Sequence, residues 1–194
     1  ILMDTEVLRI DEVPSGVLIE TERDRLRAGQ VISAAGLQAD RLARMAGVET
    51  DFRIVPFRGE YYRLAADKND IVQALIYPIP DPELPFLGVH LTKMIGGYVT
   101  VGPNAVLAFA REGYTFGDVN VNDLVEMARY SGFRKVIKAN LKSGVQEMAG
   151  ALVKARYLAL CQRYCPELEM GDLQPYRAGV RAQAVLPDGT MVHD

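Results

Sequence analysis

One of the two histidines in this 194-residue chain, His90, has neighbours that suit proton transfer. If "LGVHLT" at 87–92 is a β-strand, one face is apolar and the other carries His90 with a glycine and a threonine. The next predicted strand places Tyr98 and Thr100 beside Gly102. Such a face suits a ligand cavity, where a histidine with a pKa near 6.5 can act as a general base. The alternative is a core histidine with its hydrogen bonds satisfied.

Two other groups of side chains could bind a substrate. Arg181 lies inside the apolar strand "AGVRAQAV", and a guanidinium can bind a carboxylate through two parallel hydrogen bonds. The cluster "RGEYY" at 58–62 places an arginine and two tyrosines around Gly59. The alternatives are a solvated strand face for Arg181 and ordinary sheet aromatics for Tyr61 and Tyr62.

Common catalytic motifs are absent from the sequence. It contains no G-x-G-x-x-G, P-loop, G-x-S-x-G or H-E-x-x-H pattern, and we predict no metal site. Cys161 and Cys165 lie four residues apart without nearby histidine or cysteine partners. We interpret them as buried, reduced thiols of a cytoplasmic protein rather than as a disulfide or metal ligands.

The composition restricts the class of function. A net charge of -3 argues against nucleic-acid binding, which needs a clustered positive surface. No apolar run approaches the roughly 20 residues of a transmembrane helix. We therefore predict a protein with no nucleic-acid partner and no transmembrane segment.

The first part of the chain reads as short strands followed by a helix. Strands are predicted at 6–10, 16–21 and 30–35. The third ends in Ala34, Ala35 and Gly36 and leads into a helix that stops at a glycine. Small residues at this point allow backbone to approach a ligand closely, and a tight packing turn is the alternative.

The middle part begins with strands. A long strand at 52–65 is predicted to be broken or bulged near Pro56 and Gly59. Two further strands are predicted at 73–80 and 85–92, and a hairpin turn at 93–97 leads to the next strand.

Three helices follow in the prediction. Asn122 is predicted to cap the first of them, a shorter helix comes next, and Ser143 is predicted to cap a long helix ending before Pro166.

This order of elements predicts an α+β fold with a mixed sheet. We divide the chain into a β-rich first piece at 1–47, a second domain at 48–175, and a strand at 176–194 that returns to the first domain. Both ends interrupt a strand pattern, so we expect the chain to be an internal fragment of a longer protein.

Several of these segments resemble FAD-dependent oxidoreductases of the D-amino-acid oxidase superfamily. "VISAAG" resembles a strand end in that superfamily, "VPFRGEYYRL" resembles the strand entering its substrate domain, and "AGVRAQAV" resembles its arginine-bearing strand. More narrowly, "LGVHLT" with "VTVGPNAVLAFAREGY" is similar to the L-2-hydroxyglutarate oxidase/dehydrogenase family. The resemblance runs from about Val31 to the end of the chain.

The resemblance implies a reaction and a set of roles. L-2-hydroxyglutarate, a small dicarboxylate, would be oxidised to 2-oxoglutarate by hydride transfer to FAD, with His90 as the general base and Arg181 on the C1 carboxylate. The candidates for the second carboxylate are Arg58, Tyr62, Lys93 and Asn104. The residues implied to approach the cofactor are Ala34, Ala35, Gly36 and Gly59.

The resemblance also leaves questions open. The family's pyrophosphate-binding G-x-G-x-x-G turn is not in these residues, so we expect the chain by itself to hold no FAD. Alternatives are an amino-acid or glycerol-phosphate flavoenzyme, or a non-catalytic module of this fold. Oxygen and a quinone stay open as electron acceptors. A quinone user could lie peripherally on the inner membrane face rather than free in the cytoplasm.

Overall fold

The computed structural model describes residues 1–79, 88–139 and 153–192, except for the Asn104 side chain. Its first sheet is an antiparallel meander of three strands: β1 (Val7–Val13), β2 (Gly16–Thr21) and β3 (Arg25–Ala28). A 3-10 turn at Gly36–Gln38 and helix α1 (Ala39–Met45) follow. Together with the second sheet, these elements form the α+β fold that the sequence predicts.

The third strand of the first sheet differs from the prediction. It is formed by "RLRA" at 25–28, and residues 30–35 form no strand. In the described part of the chain no neighbouring strand supplies backbone hydrogen bonds to 30–35, and the Ile32 side chain is 93% exposed. An apolar sequence without such a partner does not form a strand.

The second sheet has five strands: β4 (Arg53–Leu64), β5 (His90–Lys93), β6 (Val99–Leu107), β7 (Leu173–Pro175) and β8 (Gly179–Val185). The order is β5-β6-β4-β7, and β8 pairs with another part of β4. All of these pairings are antiparallel. β8 also lies beside the 3-10 turn at Gly36–Gln38. The boundaries of the predicted domains stay a prediction.

β4 runs without a break through Pro56 and Gly59, so the predicted break is wrong, but the predicted bulge is found next to Gly59 in the pairing of β4 with β6. The irregularity lies in β6. The register advances two residues on β4, from Glu60 to Tyr62, while β6 advances three, from Asn104 to Val101. The extra residue is therefore accommodated in the strand facing β4.

The two strands predicted before the hairpin are shorter than expected. Residues 73–79 contribute only an isolated bridge between Ile76 and Leu91. Pro78 has no N–H to donate to a ladder, which helps to end the pairing there. β5 begins at His90, and the predicted strand residues 85–87 lie outside the described residues.

The helices pack on the second sheet. α2 (Val121–Arg129) is capped by Asn120 and not by Asn122, because the Asn120 side chain accepts hydrogen bonds from the N–H groups of Asn122 and Asp123. α3 covers 131–139, where a short helix was predicted, and α4 is Lys154–Cys161. The predicted cap Ser143 lies outside the described residues.

β4 separates two hydrophobic clusters that lie on its opposite faces. Tyr62 and Leu64 contribute to a cluster with α4, whereas Val55 and Phe57 contribute to a cluster with α2 and α3. Because side chains alternate along a strand, Gly59, Tyr61 and Arg63 share the face of Val55 and Phe57. The second cluster ends at Phe57, so it does not cover the part of that face formed by Gly59, Tyr61 and Arg63.

Cys161 and Cys165 are free and buried, as predicted. Burial raises the pKa of the Cys161 thiol to about 12, and its sulfur donates to the backbone oxygen of Tyr157. These thiols therefore stay protonated and pack as small apolar groups.

Two kinds of site are absent from the part of the chain that the structure describes. No helix there is long and apolar enough to cross a membrane. No group of three or more histidine, cysteine, aspartate or glutamate side chains there could hold a metal ion.

A buried ion pair connects α1 to the second sheet. The guanidinium of Arg111, which follows β6, contacts both carboxylate oxygens of Asp40, with Nη2 2.9 Å from Oδ2, and donates to the Leu37 oxygen at 2.7 Å. Asp40 also accepts a hydrogen bond from the N–H of Ile54 at 3.2 Å. The charges of Asp40 and Arg111 are thus fully paired although their side chains are 0% and 4% exposed.

Glu126 of α2 extends this network to the helix surface. Its carboxylate accepts from Arg41 at 2.6 Å and from Arg44 at 3.0 Å. Burial by itself raises the pKa of the Glu126 carboxyl. The two arginine hydrogen bonds and the nearby charge of Arg111 outweigh burial and lower that pKa from 4.5 to about 2. Ionised Glu126 therefore stabilises the docking of α1 on α2.

We predict that Glu126→Gln lowers the free energy of unfolding by about 1–3 kcal/mol at pH 7. A depressed native pKa contributes stability that is complete above pH 4.5 and is lost as the pH falls towards 2. The parent should therefore lose stability across that window more steeply than the variant. Urea unfolding at pH 7, 4 and 3 measures both effects.

The exposed Glu22, which forms no ion pair with any residue that the structure describes, provides the control. Glu22→Gln should leave the free energy of unfolding within about 0.5 kcal/mol of the parent value. Equal acid sensitivity of the Glu126→Gln variant and the parent would contradict the prediction.

A second prediction concerns Gly102, which faces His90 across the β5–β6 ladder. Its φ is +150°, and an added Cβ would lie 2.8 Å from the Glu60 oxygen, the Tyr157 hydroxyl and the Tyr61 ring. Gly102→Ala should destabilise the protein by about 1–3 kcal/mol through strain and overpacking.

Thermal or urea unfolding tests this prediction against Gly171→Ala, because nothing described lies within 4 Å of a Cβ at Gly171. The control should change stability by no more than about 0.5 kcal/mol. If the two alanine variants have the same free energy of unfolding, the prediction that a Cβ at Gly102 is strained and overpacked is wrong.

Candidate active site

His90 opens β5, with its backbone paired to Gly102 of β6. Val89 and Leu91 on either side of it are buried in the cluster with α4. The side chain of His90 is half-buried on the opposite face. The predicted alternation of a buried apolar face and a face that carries His90 is therefore confirmed for the described residues of this strand, and the binding of a ligand on the second face stays a prediction.

The His90 ring is fixed by two contacts. Its Nδ1 lies 3.2 Å from the Gly88 oxygen, and its ring stacks on Tyr77 with centroids 4.3 Å apart and planes 15° apart. A carbonyl only accepts, so Nδ1 carries the hydrogen and Nε2 keeps its lone pair. Burial lowers the pKa of His90 below 6.5, and the Gly88 bond opposes this only partly. At neutral pH the ring is therefore a neutral base with Nε2 as acceptor.

On β4 and β8 the face that His90 shares carries glycines, so no side chain rises from the backbone there. Gly59 of β4 pairs with Gly179 of β8, and the Tyr61 ring lies along their edge. An added Cβ at Gly59 would lie 2.6 Å from the Pro103 side chain, so packing accounts for that glycine. At Gly179 the nearest described atom to such a Cβ is 4.0 Å away, in Tyr61. A flat group could therefore approach the backbone at Gly179.

The same face continues on the other side of His90 with polar side chains. Thr92 pairs with Thr100, and Thr100 pairs with Arg63 of β4. The Arg63 guanidinium lies 4.6 Å from the centroid of the Tyr98 ring, whose hydroxyl is 3.1 Å from that of Tyr176.

The sequence reasoning did not select Arg63, Tyr77 or Tyr176. Alternation along β4 from Tyr61 could have identified Arg63. Tyr77 and Tyr176 approach through irregular segments, so no periodic signal marked them.

Arg181 lies on this face of the sheet but at its far end. It is exposed on β8 and pairs with Phe57, four positions along β4 from Tyr61. Gln183, two residues farther along the same face of β8, is 2% exposed and donates to the Val192 oxygen. Two strands, β6 and β4, therefore lie between Arg181 and His90, and the register offsets these residues by roughly 13 Å along β4.

Two candidates for the second carboxylate are turned away from this face. Arg58 is 2% exposed, its Nε lies 2.6 Å from Glu60 Oε1, and its guanidinium lies 3.6 Å from the Phe116 ring centroid. Tyr62 packs edge-on against Tyr157 in the cluster with α4. Neither side chain is therefore open to the His90 face.

The other two candidates are Lys93 and Asn104. The ammonium of Lys93 donates to the Asn69 oxygen at 2.7 Å and lies 3.5 Å from Asp70. Asn104 pairs with Glu60 through its backbone, and its side chain lies outside what the structure describes. Lys93 is thus occupied at the edge of the sheet.

Three of the four predicted cofactor residues lie together ahead of α1, and the fourth, Gly59, lies on β4. Ala34 and Gly36 are exposed and Ala35 is half-buried. Gly36 has a φ of +49°, and no described atom lies within 4 Å of where its Cβ would be. This open, small-residue turn fits the close approach of part of a cofactor such as FAD. That role stays a prediction.

Solved structures resemble the fold. L-alpha-glycerophosphate oxidase from Mycoplasma pneumoniae, with FAD bound, superposes with a TM-score of 0.56 at 18% identity over 93% of this chain and 39% of that one. Glycine oxidase from Geobacillus kaustophilus gives 0.51 at 19% identity over 96% and 38%. At these identities the likeness establishes the fold alone.

Curated relatives are closer in sequence. L-2-hydroxyglutarate dehydrogenase of Escherichia coli K12 is 54% identical over all of this chain and 46% of its own length. The human mitochondrial L-2-hydroxyglutarate dehydrogenase is 41% identical over 92% of the chain and 38% of its own length. The chain thus spans about half the length of the curated relatives it matches, or less.

The model of the DAO family, described as FAD dependent oxidoreductase, matches residues 1–194. That match covers both the small-residue turn ahead of α1 and the sheet face that carries His90. The chain therefore belongs to the family of FAD-dependent oxidoreductases.

Proposed function

We propose that this chain forms the substrate-binding part of an enzyme that oxidises L-2-hydroxyglutarate to 2-oxoglutarate. The observation that carries the proposal is the neutral His90 on an open sheet face, where its Nε2 accepts no hydrogen bond from the residues that the structure describes. The 54% identity to a dehydrogenase of this substrate supports the choice of a 2-hydroxy acid.

His90 acts as the base in this proposal. Its Nε2 accepts the proton of the C2 hydroxyl, while the hydrogen on C2 leaves with its electron pair and the C–O bond becomes a carbonyl. Bound FAD supplies the acceptor for that hydride. The Gly88 bond holds the ring in the required tautomer, and the Tyr77 stack fixes its plane.

Arg181 binds the C1 carboxylate in this proposal. The residue is exposed at the end of the face that carries His90, and it stands in the strand that resembles the family's arginine strand. A planar fork that donates two hydrogen bonds orients the carboxylate as well as attracting it.

The cofactor residues proposed are Ala34, Ala35 and Gly36, where open backbone allows a close approach, and Gly59 as part of the glycine-lined face. We also propose a cytoplasmic enzyme, on the support of two free buried thiols. Oxygen or a quinone reoxidises the flavin in this scheme. Comparing oxygen uptake with quinone reduction decides between them.

We predict that His90→Gln in the full-length protein slows flavin reduction by L-2-hydroxyglutarate by roughly 10²- to 10⁴-fold, because positioned proton transfer is lost. The parent should lose activity as the pH falls below the lowered pKa of His90, where the base is protonated. The variant should lack this acidic limb. Anaerobic stopped-flow bleaching across pH measures both.

A melting curve of the same samples separates catalysis from folding. The variant should retain flavin and melt near the parent, because glutamine is polar and similar in size. Normal bleaching with a lowered melting temperature would make His90 a structural histidine.

We predict that Arg181→Lys weakens substrate binding by roughly ten- to hundred-fold, equivalent to about 1.5–3 kcal/mol, because lysine keeps the charge but lacks the planar fork. Steady-state kinetics measure the change in KM and kcat/KM.

The exposed Arg129 of α2 is the matched control, since its helix packs at the Val55 end of β4, six positions along the strand from Tyr61. Arg129→Lys should match the parent. Kinetics of Arg181→Lys that equal those of the control would remove Arg181 from the site.

A further inference from the structure

The face beside His90 ends in a positively charged patch, which we define as Arg63, Tyr98, Tyr176 and Arg177. The guanidinium of Arg63 lies 4.6 Å from the Tyr98 centroid and that of Arg177 lies 5.8 Å from the Tyr176 centroid. Each ring thus holds one cation against its face. The two rings meet with centroids 6.0 Å apart.

No carboxylate neutralises this patch among the residues that the structure describes. The ion pairs found there include neither Arg63 nor Arg177. By contrast, Arg41, Arg44, Arg58 and Arg111 are all paired with acids. The patch therefore keeps a positive charge that the protein itself does not compensate.

The hydroxyl groups add a hydrogen-bond donor to this charge. The Tyr98 and Tyr176 oxygens lie 3.1 Å apart, so one hydroxyl hydrogen lies between them. The other hydrogen remains for an acceptor outside the pair. Hydrogen bonds from Tyr98 and Arg177 lower the pKa of the Tyr176 hydroxyl, so that group is a stronger donor than an ordinary tyrosine.

The patch belongs to the same surface as His90. Along β5, Thr92 follows His90 on one face, and the register connects Thr92 through Thr100 to Arg63. The backbone N–H of Tyr176 donates to the Tyr61 oxygen at 3.1 Å, which fixes the patch beside the central strand. His90 is therefore positioned along β4 between Arg63 and Arg181.

The spacing suits a substrate with two carboxylates. Arg63 and Phe57, the partner of Arg181, are six residues apart on β4, or roughly 20 Å, and Arg181 lies one strand to the side. The end carbons of an extended five-carbon diacid are about 5 Å apart, and a guanidinium carbon that donates two parallel hydrogen bonds lies about 4 Å beyond each of them. The two guanidinium carbons would therefore be about 13 Å apart, a distance that the arginines reach when each extends about 4 Å towards the other.

We propose that Arg63, with the hydroxyls of Tyr98 and Tyr176, binds the second carboxylate of a dicarboxylate substrate. This inference rests on the proposed function, and it identifies Arg63 as the residue that distinguishes a diacid from a monoacid. Arg63 replaces Arg58 and Lys93 as the candidate for this carboxylate, because Arg58 is paired with Glu60 and the ammonium of Lys93 donates to the Asn69 oxygen.

The test compares two substrates that differ only at the far end, L-2-hydroxyglutarate and L-2-hydroxypentanoate. In the full-length holoenzyme, Arg63→Gln should lower kcat/KM for the diacid by about 10- to 100-fold. It should change kcat/KM for the monoacid by less than about threefold. The control Arg163→Gln, at an exposed arginine just after α4, should change neither.

A binding measurement makes the test independent of turnover. Parent holoenzyme should bind glutarate more tightly than pentanoate. Arg63→Gln should remove that preference. If the glutamine variant does not fold, Arg63→Lys, which keeps the charge, is measured in its place. An equal loss for both substrates, or no loss for either, overturns the inference. If the parent oxidises neither substrate, the proposed function fails, and the glutarate preference with its loss in the variant still decides the role of Arg63.

Discussion

The pairing of Asp40 with Arg111 is the constraint on which the arrangement of this chain depends. The two residues are 71 positions apart and come from the two predicted domains, yet both side chains are almost completely inaccessible to water. A charge in such a place is tolerated only when it is paired and its remaining hydrogen-bond capacity is used. Asp40 meets this condition by also accepting from Ile54 N–H, which fixes the start of β4 against α1. Loss of either partner would leave a buried charge, at a cost of about 3–5 kcal/mol.

With its start fixed, β4 divides the second sheet into covered and uncovered regions. The cluster under α4 uses one face of the strand, and the cluster under α2 and α3 uses part of the other. Farther along the face that the second cluster uses, Gly59, Tyr61 and Arg63 take the place of residues that would have extended that core. One face of β4 thus carries the cluster under α4, and the other carries a core at its start and an open surface beyond it.

The sequence predicted features that depend on local periodicity and missed those that depend on distant partners. The face of His90 followed from alternation over a few residues, and α1, α2 and β8 followed from apolar spacing and stop signals. Residues 30–35 have the composition of a strand but no described neighbour to pair with. The cap of α2 was misplaced by two residues because both Asn120 and Asn122 have suitable side chains. The Asp40–Arg111 pair and the stack of Tyr77 on His90 leave no local signal, because each joins segments that only the fold brings together.

The stacking of Tyr77 on His90 has a consequence for the energetics of proton acceptance. A base shielded from water is readily kept neutral, but for the same reason it gains a proton at a higher cost. The π-face of Tyr77, 4.3 Å away and nearly parallel, presents negative quadrupole density to the ring. The Tyr77 ring attracts an imidazolium more strongly than a neutral imidazole. The electrostatic stabilisation by this contact therefore begins only when His90 is protonated. One aromatic side chain therefore helps to exclude solvent from the neutral imidazole and would stabilise the imidazolium that the proposed reaction creates.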